Sequence, residues 1–513
     1  MSPATIPDRD REVSPLVRAL LERPSGSGLR LAWHAGVSTE VLDAAAFWQQ
    51  VKGLTGALAG QGLRAGDRLA WLGLNHPLQL AALFACARLG AIFMPLNFRL
   101  ATAELQQIVD DAMPTCLVHD ESHAVAAAAL RGPRCVQATD LLLGLSAARA
   151  SPAPDVPAMN GQTPVLLVYT SGTTGRPRGA VHTQDGLLAN ARASEWAHGF
   201  RADDVVLSAL PLFHVGGLCI QTLPALLAGV PVILHPRFEP QAWLDEVGTG
   251  GPTLSLLVPA TIRALIERPD WSAVPLGRLR GIMTGSSTVP LHYLQAFHQR
   301  HIPVGQVYGS TETGPVSVVL KLADAMAREG DTGWPHPGAR VRLLDGDGHE
   351  VAAGQTGEVC LQADNLMQGY WNPQGRSGDG LQDGWFHSGD LGCQSPDGCL
   401  RIVGRAKDMI ISGGENIYPA EIENRLLALP GVIECAVVGV PDPRWGETPV
   451  AAVVAAPGSG LTAESVLQHL QGCIARFKLP RRVVFVQELP KSALGKVQKA
   501  RLQAELAGTS GGI

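Results

Sequence analysis

The sequence predicts an α/β protein: a large layered N-terminal domain with α/β subdomains and a β-rich section, then a small α+β C-terminal domain. Three observations carry this. From about residue 68, short apolar strands alternate with helical patterns, as in parallel βαβ units. After about residue 337 the texture shifts to alternating strands broken by Asp-Gly and Gly-Gln turns, which predicts antiparallel hairpins. The tail beyond Gly404 carries two helical patterns and three strands, enough for a separate small domain in a chain of 513 residues.

Taken in order, "RLAWLGL" from Arg68 reads as a buried strand. "PLQLAALFACARLG" reads as a helix opened by Pro77, and "AIFMPLN" as the next strand. The run "LQLAALFACARLGAIFMPL" is broken by Arg88, Gly90 and Pro95. It is too short and interrupted to span a bilayer, so no integral membrane segment is expected. "SAARASPAPDVPAMNGQTP" reads as a surface linker. "VLLVYTS", "DVVLSAL", "VPVIL", "TLSLLV", "LRGIMTGS" and "IPVGQVYG" are further strands, with helices at "ATIRALIE" and "PLHYLQAFHQR". "ARVRLLDGDGHEVAAGQTGEVCLQ" is a hairpin section. In the tail, Pro419 opens a helix that turns Ile422, Leu426 and Leu429 to a core. Strands follow at "ECAVVGV" and "PVAAVVAA", then a helix from Thr462 and the strand "RVVFVQEL".

Composition narrows the function. Hydrophobic residues make up 46% and charged residues 17% of the chain, which is a globular, core-rich balance. A formal net charge of -5 does not call for nucleic acid or an anionic membrane as the main partner. The nine cysteines are scattered without a CxxC pair, as expected of reduced thiols in a cytoplasmic protein. The N-terminal "MSPATIPDRDREVS" has no apolar core of a secretory signal.

The least ordinary stretch is "YTSGTTGRPRGA", Tyr169 to Ala180. Its glycines let backbone N–H groups converge on an anion, its hydroxyls add donors, and Arg176 and Arg178 add charge. The spacing is neither a Walker A loop nor a Rossmann fingerprint. Five further segments follow it in order: "LPLFHVGG", "VYGSTETG", "WFHSGDLG", "GRAKDMIISGGENIYPAEIE" and "LPKSALGKVQK". Together they resemble the acyl- and aryl-CoA synthetases of the adenylate-forming (AMP-binding) superfamily. The loop differs from that family's usual TSGTTGKPKG at both lysines, which are arginine here. Arginine keeps the charge but offers a planar fork.

The resemblance implies site residues. Thr170, Ser171, Gly172, Thr173, Thr174, Gly175 and Arg178 would belong to the mobile loop that guides pyrophosphate. His214 would border and gate the acyl pocket. Gly285, Ser286 and Ser287, in "TGSSTVP", would lie beside adenine, and Tyr308 and Gly309 would flank it. Thr311 would bond the α-phosphate and Glu312 would ligate Mg²⁺. Asp390 and Arg405 would hold the ribose, and Lys496 would be the catalytic lysine. Lys407 would be the hinge between a domain of residues 1–406 and a mobile catalytic domain of residues 407–513. Gly413 and Gly414 would admit the pantetheine arm of CoA.

The implied reaction joins a carboxylic acid to CoA through an acyl-adenylate, with ATP and CoA as co-substrates, Mg²⁺ as cofactor, and AMP and pyrophosphate as products. A homodimer is compatible with it. The stretches after His214 and Tyr308, "VGGLCIQTL" and "GPVSVVL", contain no Arg or Lys. A hydrophobic fatty or aromatic monocarboxylate is therefore the preferred acid. Two neighbouring readings stay open: loading of a separate carrier protein, and an o-succinylbenzoate-type CoA ligase, whose segments "LPLFHVGGL" and "SGGENIYPAEIE" also resemble. A nucleotide-binding non-enzyme would have no use for Glu312, Asp390, Arg405 and Lys496 together.

Overall fold

A computed structural model describes residues 14–22, 30–35, 38–142, 159–170, 177–286, 289–372, 380–492 and 495–508. Most of the stretch read as a linker, Ser171 to Arg176 of the Gly-rich loop, and Ser287 lie outside these residues.

Two largely parallel sheets form the large domain. The first has nine strands. Its six parallel members run Val304–Tyr308, Gly281–Gly285, Leu254–Leu257, Val206–Ser208, Val232–Leu234 and Arg30–Ala35 across the sheet. The second has seven, including the parallel strands Pro164–Thr170, Ile92–Pro95, Arg68–Leu72, Cys116–His119 and Arg134–Gln137. Strands covered on both faces read as continuous apolar runs, which is why "RLAWL" and "LSLL" were legible.

A single core joins the two sheets. Leu31, Val206, Val232 and Leu254 of the first pack in one cluster with Leu69, Phe93 and Leu166 of the second. The helix Pro77–Leu89 contributes Leu80, Leu83 and Phe84 to the same cluster and is buried at all thirteen residues. A helix apolar all round has no solvent face to offer, so the run that is too short for a bilayer is a core helix. Among the described residues no helix is long and apolar enough to cross a membrane.

The β-rich section is a third, antiparallel sheet of Ala339–Leu344, Thr356–Ala363, Leu381–Gln382, Trp385–Gln394 and Leu400–Arg405. Val318 of the first sheet packs with Leu343, Val359, Leu361 and Leu400, fixing the third sheet against it.

The fourth sheet lies wholly in the tail: Ile410–Ser412, Glu415–Ile417, Val432–Asp442, Gly446–Ala455 and Arg482–Phe485. Side chains alternate across its strands. Val437, Ala451 and Val453 meet Ile422, Leu426, Val466 and Leu470 of the helices Pro419–Leu427 and Ala463–Leu470. Ala436, Val438, Val450 and Ala452 turn the other way, onto Leu502 and Leu506 of the helix Lys499–Gly508. The result is a small α+β domain with a helix layer on each face. Its described strands pair with none of the other three sheets.

Among the elements not foreseen are the hairpin Arg30–Ala35 with Ser38–Asp43, the helices Ala44–Gly60, Thr102–Ala112 and Gln184–His198, the strand Arg178–Thr183, and the final helix. The segment after His214 also forms a π-helical turn, Gly216–Thr222, a form frequent at functional sites.

Candidate active site

The parallel strands of the first sheet deliver their carboxyl ends to one crevice, where open α/β sheets place ligands. Gly285 ends one strand, Tyr308 the next, and His214 follows a third. The turn after Tyr308 is drawn tight. A Cβ on Gly309 would lie 1.9 Å from the Pro315 carbonyl oxygen, so only glycine fits there. Ser310 N donates to Thr313 Oγ1 at 2.8 Å, and Ser317 N to the Tyr308 carbonyl at 3.0 Å. This holds Thr311, which is buried, and Glu312 at the crevice.

Asp390 forms one corner. It sits directly opposite Arg405 in the third sheet. Arg405 Nε lies 2.5 Å from Asp390 Oδ1, and the Tyr308 hydroxyl donates to Oδ2 at 2.8 Å. Burial raises the Asp390 carboxyl pKa, against the pull of Arg405 and the Tyr308 hydrogen bond. Burial, then the Asp390 charge, pushes the Tyr308 hydroxyl well above its ordinary range. A carboxylate has about four lone-pair sites, so this one retains acceptors for a diol.

Glu312 forms a second corner. The Tyr370 hydroxyl donates to Oε1 at 3.0 Å, and Met367 N donates to the Glu312 carbonyl at 2.8 Å. The Arg178 guanidinium lies 3.6 Å from the centre of the Tyr370 ring, a cation–π contact. Burial, then the Glu312 charge, raises the Tyr370 hydroxyl pKa. His182, fully buried, stands beside Glu312. Burial lowers its pKa to about 4, and Glu312 only partly offsets this, so the imidazole is neutral at pH 7.

Lys496 enters from the small domain on a tight loop, where Ser492 N donates to the Lys496 carbonyl at 2.8 Å. Lys496 is exposed by surface area, with protein crowding around its ammonium. Burial and then Arg405 lower its pKa, while Asp390 and Glu312 pull the other way. The lysine also feels His214, whose pKa falls to about 4 through burial first and the Lys496 charge second. Four predicted residues, Glu312, Asp390, Arg405 and Lys496, thus share one electrostatic centre, with His214 at its edge.

His214 Nδ1 accepts the Gly216 N–H at 3.0 Å. Neutral and with Nδ1 as acceptor, the ring carries its proton on Nε2. A Cβ on Gly216 would lie 3.0 Å from His214 Nδ1 and 3.5 Å from Ser286 Oγ. Ser286, at φ 72°, therefore faces the wall after His214. The same wall holds Gln221, whose buried amide has no hydrogen-bond partner among the described residues.

Thr170 and Arg178 pair across the hairpin that closes the Gly-rich loop, with Thr170 Oγ1 donating to the Arg178 carbonyl at 3.3 Å. Gly172, Thr173, Thr174 and Gly175 of that loop are outside the described residues. Gly413 and Gly414, at φ 59° and 87°, form the exposed turn joining Ile410–Ser412 to Glu415–Ile417 and make no link to the cluster. Lys407 is exposed in the turn Ala406–Asp408 between the third and fourth sheets. Sequence reasoning missed Tyr370 and His182, which touch or face Glu312 from far along the chain.

Glu312 bonded to Tyr370, Asp390 paired to Arg405, and Lys496 on a loop of the small domain are residues that the resemblance assigns to an adenylate-forming centre. The chain belongs to the AMP-binding enzyme family: the family's model matches residues 37–371, and that of the AMP-binding enzyme C-terminal domain matches residues 421–496. It is 46% identical over 462 residues to an indoleacetate–CoA ligase of Aromatoleum aromaticum, covering 88% of this chain and 90% of that one. It is 40% identical over 488 residues to a feruloyl-CoA synthase of an Amycolatopsis species, covering 95% and 97%. Among solved structures it resembles ATP-bound MatB from Rhodopseudomonas palustris, with a TM-score of 0.88 and 29% identity, covering 98% and 99% of the chains. The protein is an AMP-forming acid–CoA ligase.

Proposed function

We propose that this ligase activates a hydrophobic, ring-bearing monocarboxylate with ATP and passes the acyl group to CoA. The observation that carries this reading is the pair of held carboxylates, Asp390 bonded to Arg405 and Tyr308 and Glu312 bonded to Tyr370, with the charge of Lys496 felt by both. Asp390 binds the ribose hydroxyls, backed by Tyr308 and Arg405. Thr311 and the Gly-rich loop hold the phosphates. Lys496 faces the α-phosphate as its negative charge grows during attack by the carboxylate, where a fixed cation lowers the barrier most. The hard carboxylate oxygens of Glu312, oriented by Tyr370, suit Mg²⁺, and this residue would hold it. When bound, the ion neutralises phosphate charge.

Thioester formation uses a different arrangement in this reading, with Gly413 and Gly414 brought to the cleft. The small domain turns at Lys407 and exchanges Lys496 for that glycine turn. Glu434 ties the present arrangement together. It accepts Arg263 Nη1 of the large domain at 2.6 Å and Lys491 Nζ, beside the Lys496 loop, at 2.7 Å. Glu434→Ala is expected to slow adenylation by about threefold to tenfold while sparing thioester formation from supplied acyl-adenylate. Pyrophosphate release and single-turnover thioester yield check the two halves, and equal slowing of both would count against a clasp.

The acid is read from the wall after His214. It carries no cation for a second carboxylate, which burial would penalise, and Gly216 leaves room beside His214 and Ser286. The relatives named for indoleacetate and feruloyl-CoA support a ring. Gly216 has no positive φ, but a Cβ there would lie 3.0 Å from His214 Nδ1, so a larger side chain must displace the imidazole. Gly216→Leu is expected to lower kcat/KM for aryl acids by roughly tenfold or more and to spare short aliphatic acids. AMP release dependent on acid, ATP and CoA, measured over a panel of aryl, fatty and dicarboxylic acids, tests the whole reading. Preference for a dicarboxylate, or activity only with a carrier protein, would overturn it. The free thiols suit a reducing, cytoplasmic setting.

A further inference from the structure

We propose that His34, His235 and Glu246 form a site for a divalent transition-metal ion of the zinc class, separate from the adenylating centre. Three elements supply the donors. His34 lies on the edge-hairpin strand Arg30–Ala35, His235 directly follows the strand Val232–Leu234, and Glu246 is on the helix Pro240–Gly248. His34 Nδ1 is 2.6 Å and His235 Nε2 3.4 Å from the same oxygen, Glu246 Oε2. All three donor atoms lie within 4.8 Å of one another. A zinc ion takes nitrogen and oxygen ligands at about 2.0–2.2 Å, so small side-chain rotations would bring all three onto one ion. Two imidazoles and a carboxylate suit zinc and its first-row neighbours rather than Mg²⁺ or Ca²⁺.

The scaffold is fixed before any ion arrives. His235 N donates to the Ser208 carbonyl at 2.9 Å, and the His235 carbonyl accepts Asn75 Nδ2 at 3.0 Å. The helix carrying Glu246 is anchored by the buried Trp243, whose Nε1 donates to Ser255 Oγ at 3.0 Å. The His235 side chain is 5% exposed and Glu246 14%, whereas His34 at 27% gives solvent a way in. A bound ion would pin the edge hairpin to the sheet and to the helix beside it. A hydrogen-bonded trio alone would give no stoichiometric metal binding.

The test uses the full chain, stripped with EDTA and dialysed. Zn²⁺ is titrated against a chromophoric chelator, and Co²⁺ is followed by its visible absorption. The proposal expects one equivalent of Zn²⁺ at this site, and Co²⁺ bands without a thiolate charge-transfer feature. H34A and E246Q each weaken binding by at least about tenfold, while C360S leaves it unchanged. Zn²⁺ should also raise the unfolding temperature of the wild type and not of H34A. His34 is the most exposed of the three, so H34A decides the matter if changes at the more buried His235 disturb folding. Absence of stoichiometric binding overturns the proposal, as does binding that survives H34A. Loss in C360S with a thiolate band also overturns it, by moving the ion to Glu358, Cys360 and His387, the cluster among the described residues that holds a thiol.

Discussion

Lys496→Ala is expected to slow acyl-adenylate formation by about 10²–10³-fold while leaving thioester formation from supplied acyl-adenylate largely intact. The asymmetry follows from where the side chain lies. Lys496 is the cation that the small domain brings to the centre shared by Glu312 and Asp390. Adenylation gathers negative charge on phosphate there. In the proposed alternation, attack of a thiol on the adenylate carbonyl would use the other arrangement, with Lys496 withdrawn. Single-turnover assays of each half-reaction check this, and equal loss in both would overturn it. The pH profile adds an independent reading. Only the ammonium form serves, and burial lowers its pKa from the ordinary 10.5. Activity in adenylation is therefore complete below that lowered pKa and falls as pH rises through it, sooner than an ordinary lysine would dictate. Lys496→Arg, which stays charged, should push the alkaline limb upward even if its longer head lowers the rate.

The sequence carried local information well and distant pairing poorly. The strands "RLAWL", "LSLL" and "VGQVY" were legible because burial on both faces leaves an unbroken apolar run. The turn after "VGQVY" was legible because its residues are neighbours in sequence. Tyr370 was not, since nothing in "QGYW" shows that its hydroxyl reaches Glu312. Nor was Arg178, read as a phosphate donor but found stacked on Tyr370, so that it also braces the acid. His182 looked like one polar residue in the strand "RGAVHT"; its place beside Glu312 exists only once Arg178–Thr183 pairs with Pro164–Thr170. The trio of His34, His235 and Glu246 spans 212 residues, and no periodicity links its members. Arg30–Ala35 went unread although one partner, Ser38–Asp43, is adjacent; the other, Val232–Leu234, lies far along the chain. The missed side-chain contacts are made by topology rather than by spacing.

Asp390→Asn should raise the KM for ATP by about 10–100-fold, the loss of charge assistance of about 1.5–3 kcal/mol to the ribose hydroxyls, without weakening the fold. The two expectations come from one fact. Burial raises the Asp390 pKa above the ordinary 3.8 despite Arg405 and Tyr308. A carboxyl whose folded pKa is raised is more costly to ionise in the native state than in the unfolded chain. Its charge therefore opposes folding at neutral pH, and the opposition is relieved as pH falls through the raised pKa. Asparagine removes that charge, and its carbonyl oxygen can still accept the Tyr308 hydroxyl. Arg405, about half exposed, can turn to water. Thermal unfolding without ATP should therefore show a Tm equal to or above that of the wild type. On acidification, the wild-type KM for ATP should climb at a higher pH than an ordinary aspartate would give, because the protonated acid has lost its charge. The Asn variant should lack that limb. An unchanged KM would remove Asp390 from the ribose, and a large fall in Tm would show that the pair with Arg405 serves the fold before it serves the nucleotide.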